Sequence, residues 1–276
     1  MQSSKFDCLL FDLDDTLYPS SSRLSDACGQ NIQDFMVEKL GIDRTKTSDI
    51  GNLLYTNYGT TMEGLKAIGY DFDYDEYYSF VHGKLPYENL KPDPILRNLL
   101  ISLPIRKVIF TNADKVHATK VLNRLGLEDC FDGFISFETL NPIQKNTESR
   151  MKPTGNNEIF DIVTYFSEPN QSFSLPQTTV VCKPSQDAIE LALKIENINP
   201  HTTLFFEDSV RNLQSGKRLG LHTVLVGSSK KVEGCDYAIE SIHNVKEAIP
   251  ELWKDKEDVA QVSYAGEMAV ETFVTA

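Results

Sequence analysis

The chain has 276 residues, 41% hydrophobic and 24% charged, with 40 acidic against 27 basic side chains and a formal net charge of −13. That length suits one large domain or a core with a smaller partner, and the hydrophobic share is ordinary for a globular protein with a real core. So acidic a surface repels phosphate backbones, which excludes nucleic-acid polymers as expected partners but not a small phosphate ester held by local cations. The cysteines (Cys8, Cys28, Cys130, Cys182, Cys235) are scattered and lack CxxC spacing, so a reducing compartment is expected rather than a disulfide framework or a zinc site. No apolar leader precedes the first strand and no apolar run is long enough to span a bilayer, so a soluble cytoplasmic protein without a membrane partner is expected.

Cys8-Leu9-Leu10-Phe11 is an apolar run of strand length, too short for a helix. It ends in Asp12, Asp14 and Asp15, followed by Thr16. If the backbone stays extended, Asp12 and Asp14 point to the same side. Two carboxylates held there repel until a cation or a proton settles them. A strand running into an Asp-rich turn would carry the same residues.

Helical spacing follows, with Ile32, Phe35, Met36 and Leu40 on one face and Gly41 as C-cap. Residues 18–89 read as a helical domain inserted after the first strand, broken at Gly41, Gly59, Gly69 and Pro86. Its tyrosines (Tyr55, Tyr58, Tyr70, Tyr74, Tyr77, Tyr78, Tyr87) either build a bundle core or line a ligand pocket.

From Leu90 the pattern becomes α/β. Pro92-Asp93-Pro94 opens a helix through Ile95, Leu96, Leu99 and Leu100. Lys107-Val108-Ile109-Phe110 reads as a buried strand stopping at Thr111-Asn112, and Val116, Val121, Leu122 and Leu125 as a helix closed by Gly126. Phe134-Ile135 is a short strand. Residues 140–177 break the rhythm and are expected to form a flexible surface insertion, with one apolar island at Ile159-Phe160-Asp161-Ile162-Val163. A strand at Val180-Val181-Cys182 then leads to Lys183-Pro184, and a helix covers Ala188 to Leu193. Thr202-Thr203-Leu204-Phe205-Phe206 reads as a strand ending at Glu207-Asp208-Ser209. A short helix through Asn212, Leu213 and Gly216 follows, then strands at Thr223-Val224-Leu225-Val226 and Tyr237-Ala238-Ile239. Residues 254–276 form a weakly specified tail.

Alternating strands and helices predict an α/β fold, a three-layer, Rossmann-like arrangement around a mainly parallel sheet. Its core comprises residues 1–17 and 90–250. Right-handed crossovers place the strand C-termini on one edge, where such sheets bind ligands. That edge would gather Asp12 and Asp14, Thr111 and Asn112, Lys183, and Glu207 and Asp208. The carboxylates are too many for an empty site, and hard oxygen ligands select Mg²⁺. Lys183 and Thr111 offer an anion a point charge and a donor. A cation beside an anion pocket, with a carboxylate facing it, is the equipment of phosphoryl transfer.

Asp12-Leu13-Asp14-Asp15-Thr16, Phe110-Thr111-Asn112, Lys183-Pro184 and Phe206-Glu207-Asp208-Ser209 resemble, in order, the four motifs of the haloacid dehalogenase (HAD) superfamily of phosphohydrolases. The helical stretch between the first two motifs resembles its C1-type cap. Tyr58-Gly59-Thr60-Thr61-Met62-Glu63-Gly64-Leu65, Val81-His82-Gly83-Lys84-Leu85-Pro86-Tyr87 and Glu207-Asp208-Ser209-Val210-Arg211-Asn212-Leu213 resemble the pyrimidine 5′-nucleotidase branch of bacteria, fungi and plants. Gly83 departs from the acidic residue that many bacterial members carry.

The resemblance implies Asp12 as nucleophile and Asp14 as general acid and base. It implies Mg²⁺ on Asp12, the Asp14 backbone carbonyl and Asp208, with Glu207 a ligand or one step removed. Thr111 and the Asn112 backbone N–H would bind phosphate, Lys183 would neutralise it and steady Asp12, and Ser209 and Asn212 would orient the acidic loop. For Asn212 a helix-capping role fits equally well. Tyr58, Thr60 and His82 would face the cleft from the cap, although His82 would also suit a core position. The implied substrate is a nucleoside monophosphate. The alternatives are another small ester (phosphoglycolate-like or lysophosphatidate), a phosphomutase, or a non-catalytic binding protein on the same scaffold. Asp14 favours a phosphatase over a dehalogenase, whose leaving group needs no acid.

Overall fold

Short apolar runs pair into one parallel sheet in the computed structural model, which describes residues 5–142, 159–167 and 174–253. The strands are β1 (Cys8–Phe11), β2 (Arg106–Phe110), β3 (Gly133–Ile135), β4 (Thr203–Glu207), β5 (His222–Val226) and β6 (Tyr237–Ile239). Their order across the sheet is β3-β2-β1-β4-β5-β6, with every neighbouring pair parallel. β1 is therefore central, with Phe11 in register with Ile109 on one side and Phe206 on the other.

Both faces of the sheet are buried, which is why its central strands carry consecutive apolar residues, as in Leu9-Leu10-Phe11, Val108-Ile109-Phe110 and Leu204-Phe205-Phe206, rather than alternating ones. Leu9, Phe11, Ile109 and Phe206 point into one cluster, and Leu10, Val108, Phe110 and Phe205 into the other. Helices α5 (Pro94–Ser102) and α6 (Lys115–Leu125) cover the first face; α9 (Gln186–Ile195) and α10 (Val210–Arg218) cover the second. This is the predicted three-layer α/β architecture. The helix starts are chemically specified: Asp93 caps α5 with Pro94 at its first position, and Asp114 caps α6.

The predicted strand at Val180-Val181-Cys182 is not formed. Its backbone is satisfied by a side chain instead of a neighbouring strand. The Asn141 carboxamide accepts from Val181 N–H and donates to Val181 C=O, both at 2.8 Å. Lys183 consequently enters the site from an extended segment clasped by asparagine, outside the sheet.

Between β1 and α5 the chain runs through α1 (Leu24–Glu38), α2 (Thr47–Tyr58), α3 (Thr61–Ala67) and α4 (Tyr74–Gly83). Phe35, Tyr77, Tyr78 and Val81 form one cluster among these helices, and Met36, Leu54, Leu65 and Ile68 another. A four-residue helix, α7 (Phe137–Leu140), follows β3. The apolar island of the expected insertion is docked on the helical layer. Helix α8 (Ile162–Ser167) buries Ile162 among Met36, Leu54 and Leu65, and Phe160 N–H donates to Ile68 C=O at 2.9 Å. The remainder of that insertion, residues 143–158 and 168–173, and the tail 254–276 lie outside the described residues.

Candidate active site

Adjacency of β1 and β4 brings the two acidic motifs, the first and last of the four, side by side. Asp12 N–H donates to Phe206 C=O at 2.9 Å, carrying the ladder one residue past the end of β1. Asp12 and the Glu207-Asp208 pair therefore emerge together. Lys183, 1% exposed, fills the space between them. Its ammonium donates to Asp12 Oδ1 at 2.6 Å, Glu207 Oε2 at 2.8 Å and Phe110 C=O at 2.8 Å, so all three N–H bonds are used. Thr16 donates to Asp12 Oδ2 at 3.2 Å.

Burial dominates the electrostatics. Together with Glu207 it pushes the Asp12 carboxyl up to about 7, against the pull of Lys183. Burial likewise raises Glu207 to about 7 and, with Asp12 beside it, Asp208 to about 6. Lys183 is shifted upward, because its two carboxylates outweigh a desolvation that would lower it. One ammonium does not balance three carboxylates. Asp12, Glu207 and Asp208 each present an oxygen within 4.8 Å of the others. Converging hard oxygen donors with surplus negative charge fit a divalent cation of the Mg²⁺ type.

A cavity of about 270 Å³ opens on this cluster, lined also by Thr111, Asn112, Ser209 and Asn212. Thr111 Oγ1 accepts from Ala113 N–H at 3.0 Å, which leaves its own proton for a ligand. The Asn112 carboxamide clasps the Lys183 backbone, donating to its C=O and accepting from its N–H, both at 2.9 Å. Asn112 therefore positions the lysine as well as edging the cavity.

Asp14 behaves differently from its neighbour. Its side chain joins no carboxylate cluster; Oδ1 accepts from Tyr18 Oη at 2.5 Å and pairs with His117 Nε2 at 2.8 Å. Burial would raise this carboxyl, but the His117 imidazole, helped by the Tyr18 hydroxyl, holds it down at about 2. His117 is correspondingly raised, its desolvation overridden by Asp14. His117 Nδ1 meets Tyr87 Oη at 2.8 Å, and its ring lies 4.3 Å from that of His82. His82 Nδ1 in turn contacts Asp114 Oδ1 at 2.5 Å. His117 and Tyr18 lie outside the family-like stretches of the sequence, while Tyr87 and Asp114 fall within them without a role being implied. The signal available for His117 was positional: a histidine in the first turn of the helix that leaves the β2 end faces the ligand-binding edge.

A second cavity, about 330 Å³, lies among the helices α1 to α4 and meets the first at Asp14, Ser25 and Tyr55, which line both. His82 lines it, together with His117. Tyr58 and Thr60 are not brought to either cavity. Tyr58 packs against the Leu54 and Leu65 cluster and donates to Pro176 C=O at 2.9 Å, while Thr60 caps α3 by accepting from Glu63 N–H at 3.1 Å. The tyrosines divide between both expected roles: Tyr77 is bundle core, and Tyr55 lines the cavities.

Residues 139–226 match the family model described as haloacid dehalogenase-like hydrolase. Phosphate metabolism protein 8 of Saccharomyces cerevisiae is 33% identical over 143 residues, 49% of this chain and 44% of the yeast protein, so the match spans under half of that relative. The glyceraldehyde 3-phosphate phosphatase of Methanocaldococcus jannaschii is 25% identical over 266 residues, covering 90% of this chain and 98% of that protein. Among solved structures, CbbY from Rhodobacter sphaeroides in complex with phosphate superposes with a TM-score of 0.54 at 14% identity, over 90% of this chain and 99% of that one. The HAD-hydrolase YfnB from Bacillus subtilis bound to magnesium gives 0.50 at 17% identity, over 88% and 97%. The parallel sheet with helices on both faces is the fold that these solved structures share, and residues 139–226 are similar to the haloacid dehalogenase-like hydrolases.

Proposed function

We propose that this chain is a Mg²⁺-dependent phosphomonoester hydrolase that works through an aspartyl-phosphate, with helices α1 to α4 as its cap and nucleoside 5′-monophosphates as substrates. The observation that carries the reading is Asp14 standing where the two cavities meet. A phosphoryl group seated beside Asp12, Thr111 and Lys183 would leave its ester oxygen at that junction and its alcohol among the helices.

Asp12 attacks phosphorus as the P–O bond to the alcohol breaks, and Asp14 donates a proton to the departing oxygen. Water then attacks the phosphorus of the acyl phosphate while Asp14 takes up its proton, releasing inorganic phosphate and restoring Asp12. A carboxyl held at about 2 is already in the form the second step needs. For the first step, the approach of a phosphate dianion raises its proton affinity, as any neighbouring negative charge does. Thr111 and Lys183 bind and neutralise the phosphoryl oxygens. Asp12, Glu207 and Asp208 would hold the cation, which when bound supplies charge neutralisation between nucleophile and phosphate.

Support for a nucleoside comes from the larger cavity. Apart from Asp14 and the two histidines, its lining is uncharged, with Ile32 and Met36 beside the carboxamides of Gln33 and Asn52. Apolar walls with a few amide groups suit a flat, polar-edged base, as the resemblance to the pyrimidine 5′-nucleotidase branch implies. The archaeal relative's name favours a second reading, a triose phosphate; a three-carbon alcohol would leave most of about 330 Å³ unfilled.

The test contrasts the two aspartates. Asp12→Asn should form no phosphoenzyme. Asp14→Asn with p-nitrophenyl phosphate should release a burst of phenolate and accumulate aspartyl-phosphate, seen as added mass after acid quench. Phosphoenzyme on the Asp12 variant, or none on any form including a wild type stalled in turnover, would replace the covalent route with direct attack by water.

A further inference from the structure

We propose that His117 is a positioning residue for Asp14, fixing the carboxylate through Oδ1 so that Oδ2 is the oxygen that exchanges a proton with the departing alcohol; this rests on the general-acid reading of Asp14 given above. The atom assignment follows from donor arithmetic. An ionised carboxylate only accepts hydrogen bonds. Tyr18 Oη and His117 Nε2 both reach the same oxygen, Oδ1, at 2.5 and 2.8 Å. Nε2 must therefore carry a hydrogen, whatever the charge on the ring. Two donors on Oδ1 lock the plane of the group and leave Oδ2 as the oxygen open to substrate.

Tyr87 and His82 hold the imidazole, and Asp114 holds the backbone of the same residue. Tyr87 Oη meets Nδ1 at 2.8 Å; in the neutral ring this hydroxyl donates to Nδ1 and so selects the tautomer with hydrogen on Nε2. Asp114 Oδ2 accepts from His117 N–H at 3.3 Å as part of the helix cap. The same aspartate, through Oδ1, holds His82, whose ring covers His117 at 4.3 Å. His82 belongs to α4 and His117 to α6, so the acid is buttressed from the sheet domain and the helical layer together. Such orientation of an ionisable group by an outer partner is worth a sizeable part of the catalysis it supports.

The measurement is the burst rate of alcohol release in a single turnover, taken across p-nitrophenyl phosphate, phenyl phosphate and uridine 5′-monophosphate. Acid assistance matters little for a good leaving group and most for an alkoxide. His117→Ala should lose about 100-fold with the nucleotide and under about fivefold with the p-nitrophenyl ester, within the range for general acid catalysis. His117→Gln, which returns a donor near the Nε2 position, should recover most of the loss. Tyr87→Phe should show a shallower dependence of the same sign, losing about tenfold with the nucleotide, and it keeps the test open should the histidine variants not fold. Asp14→Ala is the reference. If it shows a steep leaving-group dependence while His117→Ala and Tyr87→Phe lose rate equally with all three esters, the positioning role is wrong and the general-acid reading stands. If Asp14→Ala itself is insensitive to the leaving group, both fall.

Discussion

Glu63 is a buried carboxyl to which the proposed reaction gives no role. It is 5% exposed at the start of α3, with the Cys182 thiol donating to Oε2 at 2.7 Å as its hydrogen-bond partner. Burial pushes it from 4.5 up to about 7, the thiol pulling weakly the other way. The folded state then binds this proton more tightly than the unfolded chain. Its contribution to stability is complete below about pH 4.5 and is lost as pH rises through about 7, up to about 3 kcal/mol. Glu63→Gln keeps the acceptor without the titration, so the difference in Tm between variant and wild type should grow in the variant's favour from pH 5 to pH 8. A constant difference would mean that Glu63 is ionised and otherwise stabilised. Residues of this kind were illegible in the sequence, whereas Asp12, Lys183 and Glu207 were not. Those three stand where apolar runs or a Lys-Pro step meet the sheet edge, a pattern local enough to see. Partners such as Asp14 and His117, 103 positions apart, are chosen by packing, and no window of sequence contains both.

Two elements meet tightly at the turn between α2 and α3. Gly59 has a φ of +99°, and a Cβ there would lie 2.6 Å from Pro184 Cδ and 2.9 Å from the Lys183 carbonyl oxygen. Gly59→Ala should therefore push the helical layer off the loop that carries Lys183. The expected result is a fall in kcat together with about 1–3 kcal/mol of lost stability in urea unfolding. The docked helix α8 gives the second element-scale expectation. Ile162 is 2% exposed within the Met36, Leu54 and Leu65 cluster, so Ile162→Ala should cost about 2–4 kcal/mol, read from the same unfolding curves. A loss below about 1 kcal/mol would mean that α8 is not a working part of the layer. The sequence revealed that island as apolar but not its destination, because five residues carry too short a period to name the surface they cover. The missing strand at Val180 has a similar cause: three β-branched or apolar residues look like a strand whether a neighbouring strand or the Asn141 carboxamide satisfies their backbone.

At the scale of the whole molecule, the fold class was legible because strand and helix patterns alternate over most of the chain, and right-handed crossovers allow few arrangements of such a series. The charge sets a further expectation. A molecule at −13 repels a dianionic ester at long range, and salt screens that repulsion beyond about 10 Å. Raising ionic strength from low to physiological values at fixed free Mg²⁺ should therefore raise kcat/KM about threefold while leaving kcat in place. A fall would point to local cations steering the ester in. The central position of β1 has a temporal consequence. Cys8 pairs with Arg106 and with Thr203, and Asp12 waits for a lysine 171 positions downstream. Contacts so distant close late and slowly. On the ribosome, Asp12 is made well before its ammonium and its fellow carboxylates, so a nascent chain holds a bare aspartate until β2, β3 and the Lys183 segment have also been synthesised.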